Sequence, residues 1–152
     1  MKQIAEDLHH ILIEYAEKLQ SVNEFDYADK PDQTRWSKKE ILGHLIDSAQ
    51  CNIRRFIIGQ YEDAPSIMYN QDKWVAISNY QNHPAPDLIN LWILLNKHIC
   101  IILKNTTVQT ANRVCKTNND MPRTLHWLAE DYVRHLLHHL HQILLLDPVA
   151  YP

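Results

Sequence analysis

The chain has 152 residues, of which 22% are charged, with a formal net charge of -3 and ten histidines, and its pI is near 6.3. One domain spanning 1–152 suits that length, burying roughly two thirds of its unfolded surface. Without a dense Lys/Arg cluster it lacks the electrostatic footprint of a phosphate-neutralising protein, so no nucleic-acid partner is expected.

The N-terminal stretch MKQIAEDLHHILIEYAEKLQ has acidic residues inside its apolar periodicity. It reads as neither a signal peptide nor a membrane span, so no membrane partner is expected and the cytoplasm is the expected compartment. Cys51, Cys100 and Cys115 form an odd set without CxxC spacing. That argues against a disulfide framework and a thiolate zinc site, and for free thiols in a reducing compartment.

Only two glycines occur, and apolar residues recur at three and four, so the fold class is all-α, with four long helices. The first is predicted from Gln3 to Ser21, with a stripe of Ile4, Leu8, Ile11, Leu12, Tyr15 and Leu19 facing a core. The second opens at Ser37, where SKKE is a capping box, and stops near Gly59. Its core stripe is Ile41, Leu45, Ala49, Ile53 and Phe56, with His44 on the shoulder beside Ser48, Cys51 and Arg55. Gly43 weakens this helix by about 1 kcal/mol relative to Ala, which either a close approach by another backbone or a ligand, or simple tolerance, would explain.

A connection of about 25 residues follows, too long to be idle in a compact domain. QDKWVAISNY within it is predicted to form a short extra helix. The third long helix starts after Pro84 and Pro86, with Asp87 near its positive end, and runs to about Lys104. Asn105 to Arg123 reads as polar and irregular. The fourth helix begins near Thr124 and is ended by Pro148. Four amphipathic helices with long connections between the second and third and between the third and fourth describe a four-helix bundle.

The fourth helix carries the most chemistry. His135 and His139 lie one turn apart and can share one metal ion, and a third imidazole from another helix completes a facial site with open positions for water or substrate. Advancing 100° per residue places His139 on the inward stripe with Leu125, Tyr132, Leu136, Leu140 and Ile143, and His135 at its edge. The pair His135/His139 is therefore better aimed than His135/His138. Asp47 and Asp131 are candidate acceptors for the far nitrogens of metal-bound imidazoles, or plain solvated carboxylates. Cys51 is a nucleophile, a fourth ligand or a small core residue. His9, His10, His83, His98, His126 and His141 read as non-functional, and Trp36, Trp74, Trp92 and Trp127 as core or interface aromatics.

These motifs together resemble the DinB/YfiT superfamily of small bacterial bundle proteins. The likeness lies in Trp36-Ser37-Lys38-Lys39-Glu40 through His44, in the QDxWVxxxxY stretch from Gln71 to Tyr80, and in H-x-x-H-H-x-x-Q-I from His135 to Ile143. It covers nearly the whole chain in order. The resemblance implies an up-down-down-up topology, frequent homodimers, and a divalent metal, zinc or nickel, held by His44, His135 and His139. His138 and His141 depart from the minimal pattern.

Some members of that superfamily are metal-dependent S-transferases or isomerases using a low-molecular-weight thiol such as bacillithiol, mycothiol or glutathione, and others are labelled hydrolases. The leading expectation is a thiol transferase acting on a small-molecule substrate, with Tyr61, Tyr69 and Trp74 covering the pocket mouth. A metal-dependent hydrolase with Asp47 or Asp131 as base is the alternative, although no HExxH-type glutamate supports it, Glu130 lying on the outer face. A non-catalytic metal-binding dimeric bundle is the third.

Overall fold

A computed structural model describes residues 1–30, 32–117 and 121–151. Its four long helices are α1 (Lys2–Ser21), α3 (Lys38–Ile58), α5 (Ala85–Asn105) and α7 (Leu125–Leu144); between them lie α2 (Glu24–Ala28), α4 (Gln71–Ser78), a 3-10 turn (Tyr80–Asn82), α6 (Val108–Ala111) and the strands β1 (Val114–Lys116) and β2 (Pro122–Thr124). The predicted starts hold at atomic detail. Ser37 and Glu40 form the reciprocal capping box of α3, and the Thr124 side chain accepts from Trp127 N to cap α7.

α1 and α3 each pack against both α5 and α7. A hydrogen bond from Tyr132 Oη to Asn96 Oδ1 (2.6 Å) crosses the interior between α7 and α5. The beginnings of α1 and α7 share one end of the bundle with the end of α5, where Gly59, just after α3, meets Leu125. At the other end Tyr15 Oη meets His141 Nε2 at 2.7 Å. α1 and α7 therefore run one way and α3 and α5 the other, an up-down-down-up four-helix bundle.

α1 buries the predicted stripe. α3 departs from its stripe because it also carries α2, α4 and the 3-10 turn on its outer side: Leu42, Ile46 and Asp47 are buried as well, while Ile53 is only part-buried. By length and composition α5 could cross a membrane; here Leu88, Ile89, Trp92, Ile99 and Leu103 bury its inner face in the bundle.

The connections hold more structure than their composition announced. QDKWVAISNY forms α4 and the 3-10 turn, as expected. The stretch predicted to be irregular between Asn105 and Arg123 contains α6 and an antiparallel pairing of β1 with β2, Cys115 opposite Arg123; 118–120 lie outside the described residues. This hairpin is stitched to the earlier connection: Ile67 N donates to Lys116 O (3.1 Å), Lys116 N to Pro65 O (2.9 Å), and Arg113 Nε to Gly59 O (3.0 Å). At the C-terminus α7 stops before Pro148. Leu145 takes a left-handed conformation (φ 55) and the chain turns back, with Leu146 N donating to His141 O (3.0 Å).

Candidate metal centre

His44, His135 and His139 converge where α3 packs on α7. Their donor atoms all lie within 4.8 Å of one another. His44 is 2% exposed and its ring sits against Trp36, with centroids 5.1 Å apart. The His135 and His139 rings, one helical turn apart, are 4.6 Å from each other and 5.0 and 4.9 Å from His44. His139 does not occupy the interior stripe as predicted; it is part-buried beside His135, and Ala129 joins the apolar core instead. Both imidazoles therefore share the edge at which α7 meets His44.

Burial holds all three rings neutral. It pushes His44 down to about 3, helped by His139, and His135 down to about 2, helped by His139, His44 and His138. His139 is also lowered, again mainly by burial, against a raising contribution from Gln142. Neutral imidazoles keep a lone pair available for a cation. His44 Nε2 and His135 Nε2 face each other at 3.0 Å, close to the spacing of roughly 3 Å between two nitrogens that each lie about 2.0–2.1 Å from one ion. His139 Nδ1 donates to Gln142 Oε1 (3.0 Å), which fixes its tautomer and leaves the Nε2 lone pair free. The donor set thus fits a divalent metal of intermediate softness.

Gln142 was not singled out from the sequence, although the signal existed: it lies one turn beyond His139 and inside H-x-x-H-H-x-x-Q-I. The two extra histidines have other duties. His138 Nδ1 donates to Val149 O (2.9 Å). His141 Nδ1 donates to Asp147 O (2.7 Å) while its Nε2 accepts from Tyr15 Oη. Both clamp the returning C-terminal segment.

The candidate carboxylates sit apart from the imidazole nitrogens. Asp47, 1% exposed, accepts from Tyr80 Oη at Oδ1 (2.6 Å), and its Oδ2 is buried without a partner, as is His44 Nδ1. Burial raises the Asp47 carboxyl to about 6 against the lowering effect of the Tyr80 bond. The Tyr80 ring also explains Gly43: a Cβ there would fall 2.0 Å from Tyr80 Cδ2. The close approach is by an aromatic ring, not by backbone or ligand. Asp131 accepts from Tyr151 Oη at Oδ2 (3.1 Å) and from Arg134 at Oδ1 (3.5 Å). Cys51 is a buried core thiol whose pKa is raised by that burial.

A groove of about 520 Å³ leads from His44 and His135 along α3 to Arg55, with Tyr69 and Tyr151 on its flanks and Asp131 at its edge. Tyr69 is backed by Trp74, ring centroids 5.2 Å apart. Tyr61, expected over the mouth, is 67% exposed and lies outside the groove lining. Tyr151 had no visible role in the sequence; its ring is 5.3 Å from that of His135.

An up-down-down-up bundle with three neutral imidazoles brought together, two of them lining the head of a groove, defines the class as a helical-bundle protein with a histidine cluster beside a groove. The chain belongs to the DinB superfamily, whose model matches residues 4–143. Among solved structures it is similar to YfiT from Bacillus subtilis, a probable metal-dependent hydrolase with an unusual four-helix bundle topology, at 21% identity and a TM-score of 0.79 over 91% of this chain and 83% of that one. It is also similar to a mycothiol-dependent maleylpyruvate isomerase, at 12% identity and a TM-score of 0.77; the match covers 97% of this chain and 61% of the isomerase. No curated protein matches the chain in sequence.

Proposed function

We propose that His44, His135 and His139 hold one divalent cation, zinc or nickel, and that the protein is a metal-dependent transferase joining a low-molecular-weight thiol of the bacillithiol, mycothiol or glutathione type to a small electrophile. The observation that carries this reading is the convergence of three imidazoles, held neutral by burial, whose ligand nitrogens lie within 4.8 Å of one another. Likeness in fold to a mycothiol-dependent isomerase and to a probable metal-dependent hydrolase supports it. A divalent ion held there supplies Lewis acidity, which lowers the pKa of a thiol that reaches it.

The protein's own groups then bind and orient. Gln142 holds the His139 tautomer, Trp36 packs over His44, and Tyr69 with Trp74 walls the groove against water. The groove volume is of the size that takes a small molecule. Thiol transfer is favoured over hydrolysis because the carboxylate lining the groove, Asp131, is engaged by Tyr151 and Arg134, and a hydrolase needs a base there for the water proton. The presence of Asp131 at the groove edge keeps hydrolysis as the second reading.

The homodimer expectation has its support in α5, where Leu91, Leu94 and Ile101 are exposed on one outer face. Conjugation of bacillithiol, mycothiol and glutathione to a panel of small electrophiles, assayed with zinc- and nickel-loaded protein, tests the transferase reading. Metal-dependent turnover that is lost in H44A/H139A is the expected result. Ester hydrolysis abolished by D131N with no thiol conjugation would replace it with the second reading.

A further inference from the structure

We propose that the far end of the groove is a receptor for a carboxylate, so that the small molecule reaching the histidines carries an anionic group at its other end. This deepens the proposed function and rests on it for what happens at the histidines. It stands on a different set of residues.

Arg55 is 8% exposed yet lines the groove. Its Nε and Nη2 donate to Ile67 O (3.1 and 3.0 Å) and its Nη1 to Asn52 Oδ1 (3.4 Å). Those contacts are to neutral oxygens and leave two of the five guanidinium N–H groups unused. Among the described residues no carboxylate pairs with it. The titratable groups that feel its charge are Cys51, Cys115 and Tyr69, all held protonated by burial. A buried cation without a counter-charge is costly, and buried charges in folded proteins are paired as a rule.

A second cation stands at the same groove. Arg123 on β2 lies over the Trp127 ring, 4.6 Å from its centroid, which fixes the guanidinium against the wall and leaves its fork open. Among the described residues it too has no carboxylate partner. Arg134, the third arginine on the lining, is offset by Asp131. Two uncompensated guanidinium groups therefore remain, the arrangement that recognises carboxylates in bidentate fashion.

The spacing sets the ligand's length. His44, Ser48, Asn52 and Arg55 all line the groove and follow one another at helical intervals, so the run from His44 to Arg55 covers about 16 Å of helix axis, less the reach of the two side chains. An elongated molecule with its reactive end at the histidines and its carboxylate at the arginines fits that run.

The test uses the metal-free full chain, so that it does not depend on the metal reading. Arginine Nε–Hε resonances are followed by NMR while glutarate or the uncharged glutaramide is added at constant ionic strength, for wild type, R123Q and H44A. Glutarate is expected to shift the Arg55 and Arg123 signals saturably, glutaramide to leave them in place, H44A to respond as wild type, and R123Q to bind glutarate about tenfold more weakly. Equal responses to the two probes, or a glutarate affinity unchanged in R123Q, would overturn the proposal. Arg123 is only part-buried, so R123Q avoids the folding risk of replacing the buried Arg55. Zinc affinity measured on the same samples separates failure of the carboxylate receptor from failure of the metal site.

Discussion

The Nδ1 proton of His139 is spent on Gln142 Oε1, 3.0 Å away, so its Nε2 is the nitrogen with the free lone pair. A helix position one turn further on thus sets the tautomer of a proposed ligand by bonding its Nδ1. Replacing Gln142 by Leu is expected to weaken zinc binding by about 10–100-fold while leaving the unfolding midpoint of the metal-free protein nearly unchanged, because the side chain is exposed. Competition against a chelating dye measures the first and urea unfolding the second. Unchanged zinc affinity would remove Gln142 from the site.

Gly43 and Tyr80 form the tightest packing relationship beneath the cluster. In G43A the new methyl would overlap the Tyr80 ring, displace it, and break the Tyr80–Asp47 hydrogen bond. A loss of about 1–3 kcal/mol is expected from overpacking, read from urea unfolding. Full stability in G43A would show that the ring is free to move.

Acid destabilises the metal-free protein through the histidine cluster. His44 and His135 fall to about 3 and about 2 on folding, from an ordinary value of 6.5, so the unfolded chain takes up protons that the folded chain refuses. Their contribution is complete above about pH 6.5 and is lost as pH falls toward 3, by about 1.4 kcal/mol per pH unit for each histidine. Unfolding free energies measured between pH 7 and pH 4 are expected to drop along that course, and the slope is expected to flatten in H44A/H135A. An unaltered slope in the double variant would assign the acid sensitivity elsewhere.

Asp47 works in the opposite direction. Its folded value is raised to about 6 from 3.8, so its protonated form is favoured by folding; that contribution is complete below about pH 3.8 and is lost as pH rises through 6. Asn keeps an oxygen for the Tyr80 hydroxyl and carries no charge. D47N is therefore expected to be more stable than wild type at pH 8 by on the order of 1–3 kcal/mol, with the difference vanishing near pH 4. Thermal unfolding at the two pH values checks the sign, and a destabilised D47N at pH 8 would contradict it.

The four long helices were legible because each carries its own signal: spaced apolar residues in α1, the Ser37 to Glu40 box, Pro84 ahead of α5, and Thr124 ahead of α7. The short elements were not, since each depends on a tertiary tie. α2 is anchored by Tyr27 Oη donating to Leu19 O, and the β hairpin is anchored by Lys116 bonding to the chain around Pro65 and Ile67. Helical spacing alone paired His135 with His139, while His44 needed the family resemblance because its face of α3 mixes buried polar and apolar residues. Tyr151 was illegible for a further reason: it comes beside His135 only because Leu145 adopts a positive φ and turns the chain back.

Anomalous scattering from crystals grown with saturating zinc, and separately nickel, tests the metal centre most directly. The expected result is a single strong peak about 2.0–2.1 Å from one nitrogen each of His44, His135 and His139. A peak at His138 or His141 instead, or no peak among the three imidazoles under saturating metal, would contradict the assignment.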